Sequence, residues 1–365
     1  MRQEIISYIS CIKDEMYTLS KYLCENPECS FQEHKAVDYL STLLKSKGFS
    51  FQSNYFDMPT AFIASFGEGH PKICFLCEYD AEVDCGHSYG NNLSSTISVT
   101  AALALSKVLA SGKGSVLLIG TPGELNGGSK ATLDKQGAFE DVDAILTSKV
   151  DKVTNCDYVT NACIKFKVFF NESENSNYTS QEALLMFTSL LPQIKTNQNN
   201  LKIVSCTNNE LVLNIHSLHM KDIDTLRTQY ATAVEAISKL TNLKTENSLL
   251  SAPCQEITVS ETLNRIFVHN LKENGIIDID KPTPECCSTG LGCISKKIPC
   301  LSSHVAITRD QNILYPSKEF CNITLNGEAF DIAMKTAQTL AFTGLDLIES
   351  QSLLSEINTE ISKKS

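Results

Sequence analysis

The sequence predicts an α/β protein: a mostly parallel sheet sandwiched by helices, interrupted by an inserted ferredoxin-like α+β unit. Three observations predict it. Short, continuously apolar runs at 73–77 and 114–120 alternate with amphipathic helical stretches, the pattern of strands covered by helices on both faces. From Ala162 the order changes to strand, helix, strand, strand, helix, strand, which is the split βαβ arrangement. The chain then returns to helix and buried strand. At 365 residues it is long enough for two domains. The expected division is a discontinuous α/β domain of residues 1–161 and 276–365 around a lid or dimerisation domain of 162–275.

Each element has a local reason. Ile9, Ile12, Met16, Leu19 and Leu23 fall at helical spacing, so 7–26 is a helix, and Pro27 stops it. A second helix covers 30–47, with Val37, Leu40, Leu43 and Leu44 on one face and Gly48 at its end. Strands follow at 49–56, 61–66 and 73–77, then an apolar helix at 92–110. The run of Ser115 to Ile119 between Gly114 and Gly120 is the clearest central strand. It opens into Thr121-Pro122-Gly123-Glu124-Leu125-Asn126-Gly127-Gly128 and a helix at 129–136, followed by a short strand at 143–148. The insert reads as strand 164–170, helix 180–191, strand 201–206, a turn at Asn208-Asn209, strand 211–216, helix 223–240 and strand 244–250. The last third reads as helix 261–274, a Gly- and Cys-rich loop at 285–292, strand 300–307 and a closing helix at 327–348. The polar tail, 355–365, is expected to fray.

Composition excludes several function classes. Forty-two acidic residues against 31 basic leave a formal net charge of −11. That balance disfavours nucleic acid, which needs a basic footprint, and an anionic membrane surface. No apolar stretch of about 18 residues predicts a membrane span. The N-terminus lacks the apolar core and cleavage site of a secretion signal, so a cytoplasmic location is expected. Fifteen cysteines then read as reduced thiols packing as small hydrophobes. The one Cys-x-x-Cys, Cys74 to Cys77, lies inside a strand, where alternation turns the two thiols to opposite faces.

Two loops follow the two clearest strands. One runs from Glu78-Tyr79-Asp80-Ala81 to Gly86-His87-Ser88-Tyr89-Gly90-Asn91-Asn92, and the other from Gly120 to Leu125. In a parallel sheet, the loops beyond the strand C-termini line the ligand crevice, so Asp80, His87 and Glu124 are expected in one cleft.

These segments resemble the co-catalytic zinc amidohydrolases and peptidases, the family of aminoacylase, carboxypeptidase G and aminobenzoyl-glutamate hydrolase. The similarity is greatest to its β-alanyl-lysine dipeptidase-like subgroup. That subgroup's Glu-Tyr-Asp-Ala-Leu-Pro-x-x-Gly-His-Ala-Cys-Gly-His-Asn aligns without a gap on Glu78 to Asn92. Its Asn-Pro-Glu, Glu-His-Lys-Ala and Pro-Thr-Ala-Phe match Asn26-Pro27-Glu28, Glu33-His34-Lys35-Ala36 and Pro59-Thr60-Ala61-Phe62. Its Gly-Thr-Pro-Ala-Glu-Glu-x-x-Gly-Gly-Lys resembles Gly120 to Lys130, and its late Ser-Thr-Asp-x-Gly-Asn resembles Ser288 to Cys293. The resemblance covers nearly the whole chain and implies a zinc-exopeptidase-like fold with a lid.

It also implies two zinc or manganese ions about 3.5–4 Å apart that activate a water. The five expected ligands fall here on Tyr89, Asn91, Leu125, Lys149 and the Leu314-Tyr315-Pro316 stretch. Leu and Pro cannot ligate, Lys adds positive charge, and Asn and Tyr are weak zinc ligands. The family's lid His falls near Ser176, and its carboxylate-gripping lid Arg on His216. Its Asn-x-Ile-Pro run is replaced by Asn208-Asn209-Glu210-Leu211. Glu124 matches the general base and Asp80 the Asp behind the metals. The expectation is therefore no metal and no cofactor.

Blander readings stand beside these. Glu124 is a catalytic base or a polar residue near a helix start; Asp80 acts chemically or anchors loop hydrogen bonds; His87 lines the cleft or is a structural histidine. Cys77, Glu78, Asp80, Cys85, His87 and Glu124 are ligand types for a relocated metal site, although no His-x₃-His spacing supports one. Cys286, Cys287 and Cys293 are nucleophiles with His304 as base, or plain thiols. The expected binding cleft comprises His87, Tyr89, Asn91, Asn92, Leu125, Lys149 and His216, with Glu124 and Asp80 as the catalytic pair.

The first functional expectation is a degenerate, non-hydrolytic pseudoenzyme, a binding or regulatory subunit pairing through its lid as a homodimer or with an active relative. The second is altered, metal-independent chemistry on an amide-, peptide- or N-acyl-amino-acid-like small molecule. The third is an ordinary metal-dependent dipeptidase or amidohydrolase.

Overall fold

Gly114–Gly120, the clearest strand of the sequence, lies inside a six-stranded sheet with every residue buried. The computed structural model describes all residues except 111, 127, 157–159, 195–199, 251–252, 282–289 and 365. In chain order the first compact unit contains α1 (Arg2–Glu25), α2 (His34–Ser46), β1 (Ser50–Ser53), β2 (Phe62–Glu68), β3 (Lys72–Cys77), α3 (Asn91–Val108), β4 (Gly114–Gly120), α4 (Lys130–Lys135) and β5 (Ala144–Asp151). The second contains β6 (Ala162–Asn171), α5 (Ser180–Leu190), β7 (Asn200–Cys206), β8 (Glu210–Ser217), α6 (Met220–Thr241) and β9 (Lys244–Leu249). The chain re-enters the first unit with α7 (Glu261–Glu273) and, after the one-turn α8 (Gly292–Ser295), continues through β10 (Cys300–Ala306), α9 (Lys318–Ile323), α10 (Gly327–Glu349) and α11 (Gln351–Lys364).

The large sheet has the order β1-β2-β4-β3-β5-β10. Strands β4, β3, β5 and β10 run parallel, while β2 joins β4 antiparallel and β1 joins β2 antiparallel. It is therefore a mixed, mostly parallel sheet. Parallel strands need covering on both faces, and every residue of β4 and nearly all of β3 and β5 are buried. Helix α3, buried on nearly every side and lined with small residues such as Ser, Thr and Ala, runs against these strands and packs on α1 and α10. β1 stops at Ser53 because Asn54, Phe56 and Asp57 adopt left-handed φ values of 53°, 52° and 57°. Cys74 and Cys77 are wholly buried core residues of β3, and burial pushes the Cys77 thiol up to about 12.

The second unit has its own core, built on Phe166, Phe170, Phe187, Leu213, Ile223 and Tyr230. Its antiparallel sheet has the order β7-β8-β6-β9 with α5 and α6 joining strands, the ferredoxin-like topology. The described residues of Val159–Ile257 and Pro284–Cys293 make up this unit. The span differs at its C-terminal side from the expected 162–275, because α7 joins the first unit. Asn270 Nδ2 donates to Asp346 Oδ2 at 2.9 Å, and Asn274 Nδ2 to Thr339 Oγ1 at 2.8 Å, tying α7 to α10.

The tail corrects an expectation. It is the helix α11, held by buried Leu354, Ile357 and Ile361 at helical spacing. Its Glu360 accepts hydrogen bonds from Ser260 Oγ and from the N–H groups of Glu261 and Thr262 at 2.9, 2.7 and 3.2 Å. Composition suggested a frayed end because only every third or fourth residue is apolar, which is the signature of a one-sided helix.

Candidate functional site

Strands β4, β3 and β5 are neighbours and run parallel, so their C-terminal ends open on one edge of the sheet. Glu78 and Asp80 follow β3, Glu124 follows β4, and Lys149 lies near the end of β5. These side chains meet around a residue that pattern reasoning passed over. Lys130, the first residue of α4, has a fully buried side chain. Its Nζ donates to Glu78 Oε1 and to Glu124 Oε2, both at 2.6 Å. Lys149 Nζ pairs with the other oxygen of Glu78, Oε2, at 2.5 Å. Two carboxylates and two ammonium groups thus form one chain of charge, Glu124–Lys130–Glu78–Lys149.

Burial raises carboxyl pKa values and nearby cations lower them. At Glu78 burial acts upward, but the pull of Lys130 and Lys149 outweighs it and the carboxyl falls to about 2. At Glu124 burial and the charge of Glu78 outweigh Lys130, and the carboxyl rises to about 7. Burial alone would lower the Lys130 ammonium; the two carboxylates hold it above the usual lysine value. Glu124 Oε1 also accepts from Ser129 N and Oγ at 3.2 and 3.4 Å, so both its oxygens are engaged. Gly128 supports this approach with a left-handed φ of +71°; a Cβ there would lie 2.8 Å from Glu124 Oε2.

Asp80 organises the neighbouring loops. Its Oδ2 accepts from Ser30 Oγ and Leu125 N, each at 2.8 Å, and Asn91 Nδ2 donates to its Oδ1 at 3.1 Å and to its carbonyl at 2.9 Å. Burial raises its carboxyl pKa against these bonds. Glu33 Oε1 accepts from Phe31 N and Gly123 N at 2.9 Å, tying the turn before α2 to the loop after β4.

The expected residues therefore divide. Asp80, Asn91 and Leu125 are joined by hydrogen bonds at the strand ends, and Glu124 and Lys149 belong to the charge chain. His87 is buried, and its Nε2 lies 3.1 Å from Leu23 O at the end of α1. Burial lowers its pKa to about 4. Asn92 donates to Ser20 Oγ and Thr324 Oγ1 at 3.1 and 2.9 Å, anchoring α3 rather than facing the charges. Tyr89 packs edge-on against Tyr315, ring centroids 5.8 Å apart. His216 lies on β8 in the second unit, paired across the sheet with Cys163 and Asn200. His304 Nδ1 bonds Asp151 Oδ2 at 2.6 Å. Cys286 and Cys287 lie outside the described residues; Cys293 Sγ approaches Gly290 O at 3.8 Å.

Sequence reasoning missed Lys130 as a site residue. One signal was available: a lysine in the first turn of a helix opposes the helix dipole and needs acidic neighbours. The same reasoning weighed Glu78 only as a metal ligand. Its partner was invisible because Lys130 lies 52 positions further on.

No family model matches the chain. Over 153 residues it is 37% identical to one of the subunits of the p-aminobenzoyl-glutamate hydrolase of Escherichia coli (strain K12), a match spanning 36% of this chain and 32% of that protein. It is 24% identical to Xaa-Arg dipeptidase of Mus musculus over 96% of this chain and 90% of the relative. Among solved structures, an aminobenzoyl-glutamate utilization protein from Klebsiella pneumoniae superposes with a TM-score of 0.71 at 11% identity, covering 93% of this chain and 98% of that one. A dinuclear metal binding peptidase of Bacillus subtilis, from the M20 family, superposes with a TM-score of 0.67 at 14% identity, covering 92% and 99%. The relatives and structural neighbours are M20 peptidases and amidohydrolases, and this chain carries their fold over nearly its whole length.

These comparisons correct the expectation that no cofactor is involved, since a neighbour that is itself a dinuclear metal binding peptidase points to metal ions. The residues at the strand ends do not fit a two-metal centre as they stand. The Glu78 and Glu124 oxygens that a cation would use are already bonded to the ammonium of Lys130. Lys149 brings a second positive charge to the same carboxylate. Among the described residues no three His, Cys, Asp or Glu side chains converge as metal ligands, which applies to the relocated set including Cys77 and Cys85 as well.

Proposed function

We propose that this chain is a non-hydrolytic, binding or regulatory member of the peptidase and amidohydrolase group. One observation carries the reading: Lys130 is bonded to Glu78 and Glu124 at once. Glu124, the position that matches the family's general base, then has its oxygens committed to Lys130 and Ser129 rather than open to a proton from water. The loops at the ends of β3, β4 and β5 would hold a small amide- or amino-acid-like ligand. The four-stranded unit serves as a lid or dimerisation domain, pairing two copies or this chain with an active relative. Its E. coli relative is named as one subunit of a hydrolase, which supports an assembly of this kind.

The test is hydrolysis of p-aminobenzoyl-glutamate and of Xaa-Arg dipeptides by purified, untagged protein preincubated with zinc or manganese, with metal content measured by elemental analysis. No turnover above a boiled control is expected. Turnover that disappears in Glu124→Gln overturns the proposal and makes the chain an ordinary hydrolase. A second reading, an enzyme of altered chemistry, is favoured by the Glu124 carboxyl near pH 7, the range suited to a general acid or base. It requires an activity lost in Glu124→Gln without added metal.

A further inference from the structure

Behind the loop that carries Tyr89 and Asn91, two thiols meet. Cys24 lies in the last turn of α1 and Cys321 in α9. Their Sγ atoms are 3.5 Å apart, although 297 positions separate them in sequence. We propose that Cys24 and Cys321 form a redox modification site, which a hydroperoxide converts to a disulfide that pins α1, α9 and this loop together.

The surroundings place the sulfurs for that bond. His87 Nε2 lies 3.1 Å from the carbonyl of Leu23, the residue before Cys24. Asn92 Nδ2 bonds Ser20 Oγ on α1 and Thr324 Oγ1 at the end of α9, at 3.1 and 2.9 Å. Ser317 N donates to Ser88 O at 3.3 Å. Gly86 holds a left-handed φ of +66° in this loop, within ordinary contact distance of Cys321 Sγ. Hydrogen bonds thus already join all three segments, and a disulfide asks the sulfurs to close by only about 1.5 Å. Cys24 is partly exposed and gives a small oxidant a short route to the buried Cys321 beside it, whereas Cys74 and Cys77 are fully buried. The hydrogen bond from Cys24 lowers the Cys321 thiol to about 7, which supplies thiolate at neutral pH.

The chemistry balances in two steps. The Cys321 thiolate attacks the peroxide; an S–O bond forms, the O–O bond breaks, and the departing oxygen takes a proton to leave as water or an alcohol. Cys24 then attacks the sulfenic sulfur; the S–S bond forms, the S–O bond breaks, and water leaves with the Cys24 proton. Two thiols lose two electrons and the hydroperoxide gains them.

The experiment adds hydrogen peroxide stepwise to the reduced full-length chain, counts thiols, maps cross-linked peptides by mass spectrometry and measures Tm. The first two thiols lost should map to Cys24 and Cys321, Tm should rise by several degrees, and dithiothreitol should reverse both. Cys24→Ser should abolish the cross-link and the rise, and leave Cys321 trappable by dimedone as a sulfenic acid. Cys24→Ala, which leaves α9 untouched, repeats the loss of the cross-link and of the Tm rise should the serine variant fold poorly; because it removes the hydrogen bond to Cys321, the dimedone readout belongs to the serine variant alone. If Cys24 and Cys321 stay alkylatable while other cysteines are consumed, or the cross-link forms without a rise in Tm, the proposal fails.

Discussion

Lys130 concentrates the energetics of the candidate site in one side chain. Burying an ammonium and two carboxylates is costly, and the cost is offset only while all three stay bonded. Removing the cation leaves Glu78 and Glu124 buried with Lys149 as their remaining close cation. Lys130→Met is therefore expected to lose about 3–5 kcal/mol in urea denaturation, and adding Glu124→Leu to it should restore much of that loss. An equal loss in the single and double variants would show that the charges are not coupled. His87 adds a pH dependence of known sign. Its folded pKa, about 4, lies below the unfolded value near 6.5, so the folded chain resists protonation. Its contribution is fully present above pH 6.5 and is lost as pH falls toward 4, by about 3 kcal/mol. His87→Gln should flatten stability measured across that window. Glu78, held at about 2, acts in the same direction lower down, its contribution fading from about pH 4.5 to 2.

At the scale of elements, the site depends on how closely strands and helix ends approach one another. Gly120 ends β4 where Phe62 of β2 crosses it; a Cβ there would lie 2.2 Å from the Phe62 ring and 2.6 Å from the Tyr79 hydroxyl. Gly120→Ala is expected to cost about 1–3 kcal/mol by overpacking and to disturb the loop bearing Glu124, read by chemical denaturation and near-ultraviolet dichroism. The C-terminal helix is likewise structural. Glu360 caps α7 through three hydrogen bonds, so Glu360→Ala should cost about 1 kcal/mol. Ile357→Ala, at a fully buried position, should cost about 2–5 kcal/mol. A Tm for Ile357→Ala equal to wild type would remove α11 from the folded core.

At the scale of the molecule, two units with separate cores imply two folding cooperativities. Calorimetry is expected to show a calorimetric enthalpy above the van't Hoff enthalpy, because two-state behaviour is a property of single domains. Coincident transitions in every probe would mean that the units unfold as one. The ferredoxin-like unit also places β7 at a sheet edge, with Ile203 and Val204 about half exposed.

The sequence made the layers and the strand runs legible. Those depend on periodicity and on apolar runs, which are local properties of neighbouring residues. It also located the loops after β3 and β4, and with them Asp80 and Glu124. It misjudged the tail, because a one-sided helix rich in Ser, Glu and Lys has the composition of a frayed end. Tertiary structure alone decided the character of the site. Glu78 finds its partners 52 residues away in Lys130 and 71 away in Lys149 (149 − 78), and no local pattern encodes a bond between residues that meet only when three parallel strands align their ends. The same holds for Cys24 and Cys321 and for His87 against Leu23: side chains that composition reads as thiols and a loop histidine acquire partners, burial and shifted acidity only from the packing of α1, α3 and α9.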